Sequence, residues 1–329
     1  MHQSPELLRV EHLTTWLTTR AGVVAAVDNV SFSVKAGETL ALVGESGSGK
    51  SMTCLSLMRL LPVSGRIAGG SIRLEGEDLA TKTDKQMQAV RGRGIGMVLQ
   101  DPMTSLNPLF TVEQQIGEVF RYRLGITDAG ERRRRVLEVL RQVRIPAPEE
   151  RMFSYPHQLS GGMRQRVVIA INLACSPKLL IADEPTTALD ITIQQQILSL
   201  LRDIQRETGM AIILVTHDLH AVERFSDRVA IMYAGRIVEQ GPVREVFAQP
   251  AHPYTEGLLR ALPRLGEDAE RLTLIPGQPP ALASLPPGCR FAPRCPYVEA
   301  ACEAEYPQWF AGTSPPRLVA CRRAQERFA

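Results

Sequence analysis

The chain has 329 residues, 44% hydrophobic and 22% charged, with a formal net charge of +3, the make-up of a soluble globular protein of two or three domains. So small a positive balance makes no case for a nucleic-acid partner. The longest apolar stretch, near residues 167–175, is too short to span a bilayer, and no basic region leads into an apolar core at the start, so no signal peptide is expected.

Up to about residue 250 strand-like and helix-like segments alternate, the pattern of an α/β fold with a parallel sheet. "ELLRVEHL" and "NVSFSV" alternate apolar and polar residues, as half-buried strands do. "TLALVG", residues 39–44, reads as a buried strand ending in a glycine loop, and a helix is expected from Lys50 to Leu61. "SIRLEG" and "GIGMVLQ" are further strands. From Asp101 to about Ser160 the pattern becomes irregular and then helical: "DPMTSLNP" is a loop, and amphipathic helices are expected near 111–124 and 128–143. In the second of these, Arg132–Arg135 belong to a solvated side, while Val136, Leu137, Leu140 and Val143 mark the buried face. Buried strands return with "KLLIAD" (178–183) and "AIILVT" (211–216), separated by a helix over about 191–207. "RVAIMYAGRIVEQG" reads as a hairpin turning at Ala234-Gly235. After "HPYTEGLLRALP", seven prolines between 276 and 296 mark a loop-rich appendage.

"GESGSGKS", residues 44–51, fits a phosphate loop in the setting such a loop requires, after a strand and before a helix. Gly44, Glu45, Ser46, Gly47, Ser48 and Gly49 can turn several N–H groups inward at phosphate oxygens. Lys50 can reach the terminal phosphates, and the Ser51 hydroxyl can enter a Mg²⁺ shell. "KLLIADEP" sets Asp183 and Glu184 at the end of a buried strand, where one carboxylate can hold Mg²⁺ and the other can deprotonate a water. "LSGGMRQR", residues 159–166, makes Ser160, Gly161 and Gly162 a second glycine-rich helix start, again suited to an anion. One phosphate loop and two such helix ends imply that the second end serves a partner's nucleotide, so a dimer is expected.

Taken with "LQDP" (Gln100), "ALD" (Asp190) and "VTHD" (His217), these motifs make the chain resemble an ATP-binding-cassette (ABC) ATPase subunit. The resemblance implies an ABC nucleotide-binding domain of the P-loop NTPase class over residues 1–250. Its parts would be a parallel-sheet core, an antiparallel β subdomain and a helical subdomain at about 101–165, and a regulatory or metal-binding appendage would follow at 251–329. It also implies that ATP and Mg²⁺ lie between one subunit's phosphate loop and the other's signature, which includes Gln165. Glu184 would then be the base, His217 a γ-phosphate contact, Gln100 a Mg²⁺ or water contact, Asp183 a Mg²⁺ ligand through water, and Asp190 part of the dimer contact. The adenine-stacking position falls on aliphatic Val24, with Trp16 as a substitute.

"QDPMTSLNP", "YPHQLSGGMRQR", "ADEPTTALD" and "HPYTEGLLRALP" are similar to the ATP-binding subunits of bacterial dipeptide and oligopeptide importers. The implied partners are a second, related but non-identical ATPase subunit, two transmembrane permease subunits, and a periplasmic peptide-binding protein or lipoprotein. The implied location is the cytoplasmic face of the inner membrane. Glutathione, peptide-like antibiotics and metal chelates remain alternative cargoes, and a soluble cassette of DNA repair or translation is the alternative of a different class. Cys289, Cys295, Cys302 and Cys321 match the ligand count of a [4Fe-4S] cluster. Their intervals do not suit a zinc ribbon, although Zn²⁺ and free or oxidised thiols stay open. Cys54 and Cys175 sit in apolar helical contexts and read as core residues.

Overall fold

The computed structural model describes residues 6–20, 22–99, 105–186, 189–262, 275–312 and 317–324. These divide into two compact units. One comprises residues 35–38 and 81–215 with the first few residues, the other 8–34, 39–80 and 216 onward.

The chain starts with Glu6–Thr19 (β1) and Gly22–Lys35 (β2), then the fully buried Thr39–Val43 (β3). A glycine loop leads into Lys50–Met58 (α1). This helix is shorter than the expected run to Leu61, because Arg59 turns left-handed (φ 49°) and its N–H returns to Leu55 and Ser56. Pro62 follows and could not continue the ladder. Gly65–Leu74 (β4) and Glu77–Asp78 (β5) complete an antiparallel sheet in the order β2-β1-β4-β5.

The other unit is a three-stranded parallel ladder with helices. Ile95–Val98 (β6) pairs with Leu179–Asp183 (β7), and β7 pairs with Ala211–Val215 (β8). Every residue of β7 and β8 is buried, which is why these strands read as continuous apolar runs and not as alternation. Asp84–Arg93 (α2) precedes β6. Val112–Leu124 (α3) and Ala129–Gln142 (α4) lie within two residues of their expected spans. Each begins at a hydrogen-bonded cap: the Thr111 side chain accepts from Gln114 N–H, and Asp128 from Glu131 N–H at 2.7 Å. In α4, Val136, Leu140 and Val143 are buried as expected, with Val139 buried beside them and Leu137 only half-buried. Arg133, Arg134 and Arg135 are solvated and paired with Glu113 and Glu131 at 2.7–3.0 Å. Gly161–Leu173 (α5) and Ile191–Thr208 (α6) flank β7 in sequence.

From residue 216 the chain returns to the unit that holds β3 and α1. Leu219–Phe225 (α7) leads to Arg228–Tyr233 (β9), parallel to β3, and Arg236–Pro242 (β10), antiparallel to β9. The hairpin turns at Ala234 and Gly235 as expected, with φ of 44° and 87°, the pair of positive values that a tight two-residue hairpin needs. Val243–Ala248 (α8) and Pro253–Arg260 (α9) follow. The tail adds Phe310–Ala311 (β11) and Leu318–Val319 (β12) to the edge of β10. One apolar core joins Val43, Ile231, Tyr233, Val246, Tyr254 and Phe291, and Cys289 and Cys295 pack against it. The proline-rich tail thus packs into its unit's core, and Val319 and Ala324 form a second, smaller cluster with Ala251, against which Phe310 and Cys321 pack.

Candidate functional site

The phosphate loop is shaped by backbone close approach. At Gly49, φ is +105° and a Cβ would lie 2.6 Å from the Ala26 carbonyl oxygen, so no side chain fits there. Gly49 begins α1 with no side-chain cap, which leaves the first N–H groups of the helix directed at an anion. Lys50, only 6% exposed, donates through Nζ to the Gly44 carbonyl at 2.7 Å and the Glu45 carbonyl at 3.0 Å. Its ammonium is held at the mouth of the loop, ready to exchange carbonyls for phosphate oxygens. Ser48 is buried and its carbonyl accepts from Gly235 N–H at 2.9 Å, while Ser51 is exposed. This loop fits a nucleotide's phosphates, and the free-standing Ser51 hydroxyl suits a Mg²⁺ ligand.

Val24 and His217 belong to the same unit as the loop. Val24 is buried at 8% exposure, whereas its neighbour Val23 is 58% exposed. Trp16 is partly exposed, with the Arg66 guanidinium 5.2 Å over its ring. His217 is exposed between two anchored neighbours. Asp218 N–H donates to the Thr216 hydroxyl at 3.0 Å, and the Asp218 carboxylate caps α7 by accepting from His220 and Ala221 N–H.

The other unit carries the remaining residues. Asp183 closes β7 and is buried. Glu184 follows in the left-handed region (φ 47°), its N–H donating to the Val215 carbonyl at 2.9 Å and its side chain partly exposed. A non-glycine residue held there stores strain that packing must sustain. Ser160 caps α5 by accepting from Met163 N–H at 3.3 Å, and both Ser160 and Gly161 are exposed. A Cβ on Gly162 would meet Ile193 Cγ2 at 2.7 Å, so glycine here lets α5 and α6 close up. Gln165 is fully buried, facing inward where Ser160 and Gly161 face out. Asp190 is exposed and caps α6 through Ile193 N–H at 2.9 Å. Gln100 lies outside the described residues.

Cys289, Cys295, Cys302 and Cys321 line a single small cavity with His252, Phe291 and Tyr297. Burial, with the neighbouring thiols adding, pushes Cys289 up to about 11 and raises Cys295 and Cys321. Cys54 and Cys175 are buried elsewhere. Among the described residues, no group of three or more His, Cys, Asp or Glu is arranged to hold a metal ion. The four sulfurs therefore share an enclosure without closing on one centre, as a zinc tetrahedron with sulfur at about 2.3 Å would demand. His252 is buried and its pKa is lowered to about 3 by desolvation. The neutral ring's Nδ1 accepts from Tyr254 N–H at 3.0 Å and starts α9.

A phosphate loop after one buried strand, a carboxylate pair after another and a second glycine-led helix start define a nucleotide-hydrolysing cassette. Comparison with known proteins agrees. The ABC transporter family model matches residues 27–187, and the model for the oligopeptide/dipeptide transporter C-terminal region matches 238–302. A protein of Brucella melitensis named for peptide import and ATP binding is 50% identical over 95% of each chain, and one of Brucella ovis is 53% identical over 92% of each. Among solved structures, the dimeric ATP-binding cassette MJ0796, in a post-hydrolysis state with ADP and Pi, aligns with a TM-score of 0.64 at 30% identity, covering 72% of this chain and 99% of that one. The cassette cbiO1 of Clostridium perfringens aligns at 0.65 and 32% identity, covering 74% and 91%. The chain belongs to the ABC transporter family as one of its ATP-hydrolysing subunits. Among the described residues, no helix is long and apolar enough to cross a membrane.

Proposed function

We propose that this chain is an energy-coupling ATPase of a bacterial peptide importer, working at the cytoplasmic face of the inner membrane with two permease subunits, a second related cassette, and a periplasmic peptide-binding protein or lipoprotein. The observation that carries the reading is the pair of half-sites. The phosphate loop of one unit is formed and basic, while Ser160 and Gly161 of the other present a capped helix start to solvent. A helix end of that kind is an anion site with no nucleotide loop of its own chain left to serve, so a facing subunit's ATP is its natural ligand.

In this arrangement Lys50 and the α1 N–H groups bind and orient the phosphates. Glu184 takes a proton from the attacking water, His217 steadies the γ-phosphate, and Gln100 and Asp190 line the metal and dimer contacts. Bound Mg²⁺, held by Ser51 and through water by Asp183, supplies charge neutralisation on the phosphate oxygens. Peptide as the cargo rests on the C-terminal match and on the relatives' names. The permease contact is assigned to the helical layer, where Leu109 is 79% exposed and Phe110 41%. There α3 and α4 flank a groove of about 470 Å³ lined by Phe110, Glu113, Arg121 and Arg133. Cys289, Cys295, Cys302 and Cys321 are assigned as ligands of a [4Fe-4S] cluster that cross-links the tail, on the strength of their shared cavity.

The test is Glu184→Gln in the reconstituted transporter. Hydrolysis is expected to slow by roughly 10²–10⁴-fold with ATP binding retained. Near-normal turnover would remove Glu184 from the role of base.

A further inference from the structure

Two arginines lie between Cys289 and Cys295, and one of them, Arg294, reaches the phosphate loop from the tail. Arg294 is 8% exposed, and all five of its N–H groups are used. Nη1 and Nη2 clasp the two carboxylate oxygens of Glu45 at 2.7 and 3.0 Å. Nε donates to the Pro276 carbonyl at 2.9 Å, Nη2 also to Ile275, and Nη1 also to the Tyr233 hydroxyl at 3.3 Å. Burial opposes its charge, but Glu45 and Tyr233 outweigh that and raise its pKa. Glu45 is gripped at its backbone as well, its N–H donating to the Tyr254 hydroxyl at 2.9 Å. Tyr254, Tyr233 and Phe291 pack in tilted and edge-on contacts with centroids 4.6–5.4 Å apart, which hold the Tyr254 ring in place.

Arg290 acts one step further out. It donates to the Ala234 carbonyl and to Asp28, fixing the β9–β10 turn whose Gly235 N–H holds the Ser48 carbonyl. The arginine-bearing loop is itself braced. Cys289 N–H donates to the Cys302 carbonyl at 2.7 Å, and at Gly288 a Cβ would stand 2.2 Å from that same oxygen.

We infer that Arg294 is a positioning residue of the phosphate loop: by its two-pronged bond to Glu45 it ties the loop's nucleotide-binding shape to the fold of the cysteine-bearing tail. A planar fork is the side chain for such a joint, because it fixes direction as well as charge. It also neutralises a carboxylate that would otherwise stand in the phosphate loop and repel a triphosphate. No reacting atom is touched, so the effect falls on nucleotide affinity and loop order.

The experiment uses the full-length chain with Mg-ATP, titrated by calorimetry, alongside amide hydrogen exchange over residues 44–51. Binding by the unsubstituted chain checks the site itself, and the variants check the joint. Glu45→Ala cuts the joint from the loop side without disturbing the tail, and Arg294→Met cuts it from the other. Glu45→Ala is expected to weaken Mg-ATP binding about tenfold, the loss of one charge-assisted pair, and Arg294→Met to weaken it more, since the carboxylate is left unneutralised; both should speed exchange at the Glu45 amide. The double variant should be no worse than either single one. Arg294→Lys, which keeps charge but not the fork, should fall between. Arg322→Ala, removing an exposed pair with Glu305, should bind as the unsubstituted chain does. The inference is overturned if Glu45→Ala binds within twofold and keeps its loop protection, or if the two single losses add.

Discussion

The tail's second anchor offers a sharp test of what holds it to the cassette. Glu239 is 0% exposed, yet its carboxylate accepts from Ala251 N–H and His252 N–H at 3.0 Å each and from Arg317 Nε at 3.1 Å, with Arg317 Nη2 as a further donor. The Arg317 side chain is 6% exposed. Arg317→Met keeps most of the stem's packing but leaves a buried carboxylate with two amide donors, which is expected to cost about 3–5 kcal/mol. Adding Glu239→Gln removes the stranded charge, so the double variant should recover about half of that loss. The assay is urea unfolding. The chain's two tryptophans divide the work: Trp309 reports the tail, and Trp16 reports the antiparallel sheet. With about 5–15 kcal/mol typical for a whole domain, the single variant should release the tail first, Trp309 changing at lower urea than Trp16. A loss below about 1 kcal/mol, or a double variant less stable than the single one, would refute the reasoning that the pair is held by mutual need.

Two further outcomes follow. Gly162→Ala should cost about 1–3 kcal/mol by driving a methyl into Ile193, lower turnover with Mg-ATP binding at the phosphate loop unchanged, and be relieved by Ile193→Ala; unfolding curves and ATPase rates read both. Chain purified without oxygen should absorb in the sulfur-to-iron charge-transfer region and lose that band in Cys295→Ser, whereas zinc or no metal by elemental analysis would end the cluster assignment.

Much of this was legible in the linear order of residues. "GESGSGKS" between an apolar strand and a helix start is a local pattern, and local backbone geometry is what makes the cradle. Apolar runs such as "LLIAD" and "AIILV" announced buried parallel strands for the same reason, and the hairpin at Ala234-Gly235 followed from its turn residues. The α4 stripe was misjudged at one position, with Val139 buried and Leu137 half-buried, because which flank of a helix faces inward depends on its neighbours. The four cysteines could be counted, but only the fold gathers them into one cavity.

What the residue order settled by itself is the chemistry at hand: which loop can hold phosphates, which strand ends in carboxylates, which helix starts on glycine. What only the three-dimensional arrangement decided is who holds whom. Arg294 meets Glu45 across 249 positions and Arg317 meets Glu239 across 78. No short-range pattern encodes such pairs, since their geometry exists only once β3, β9, β10 and the tail share a core.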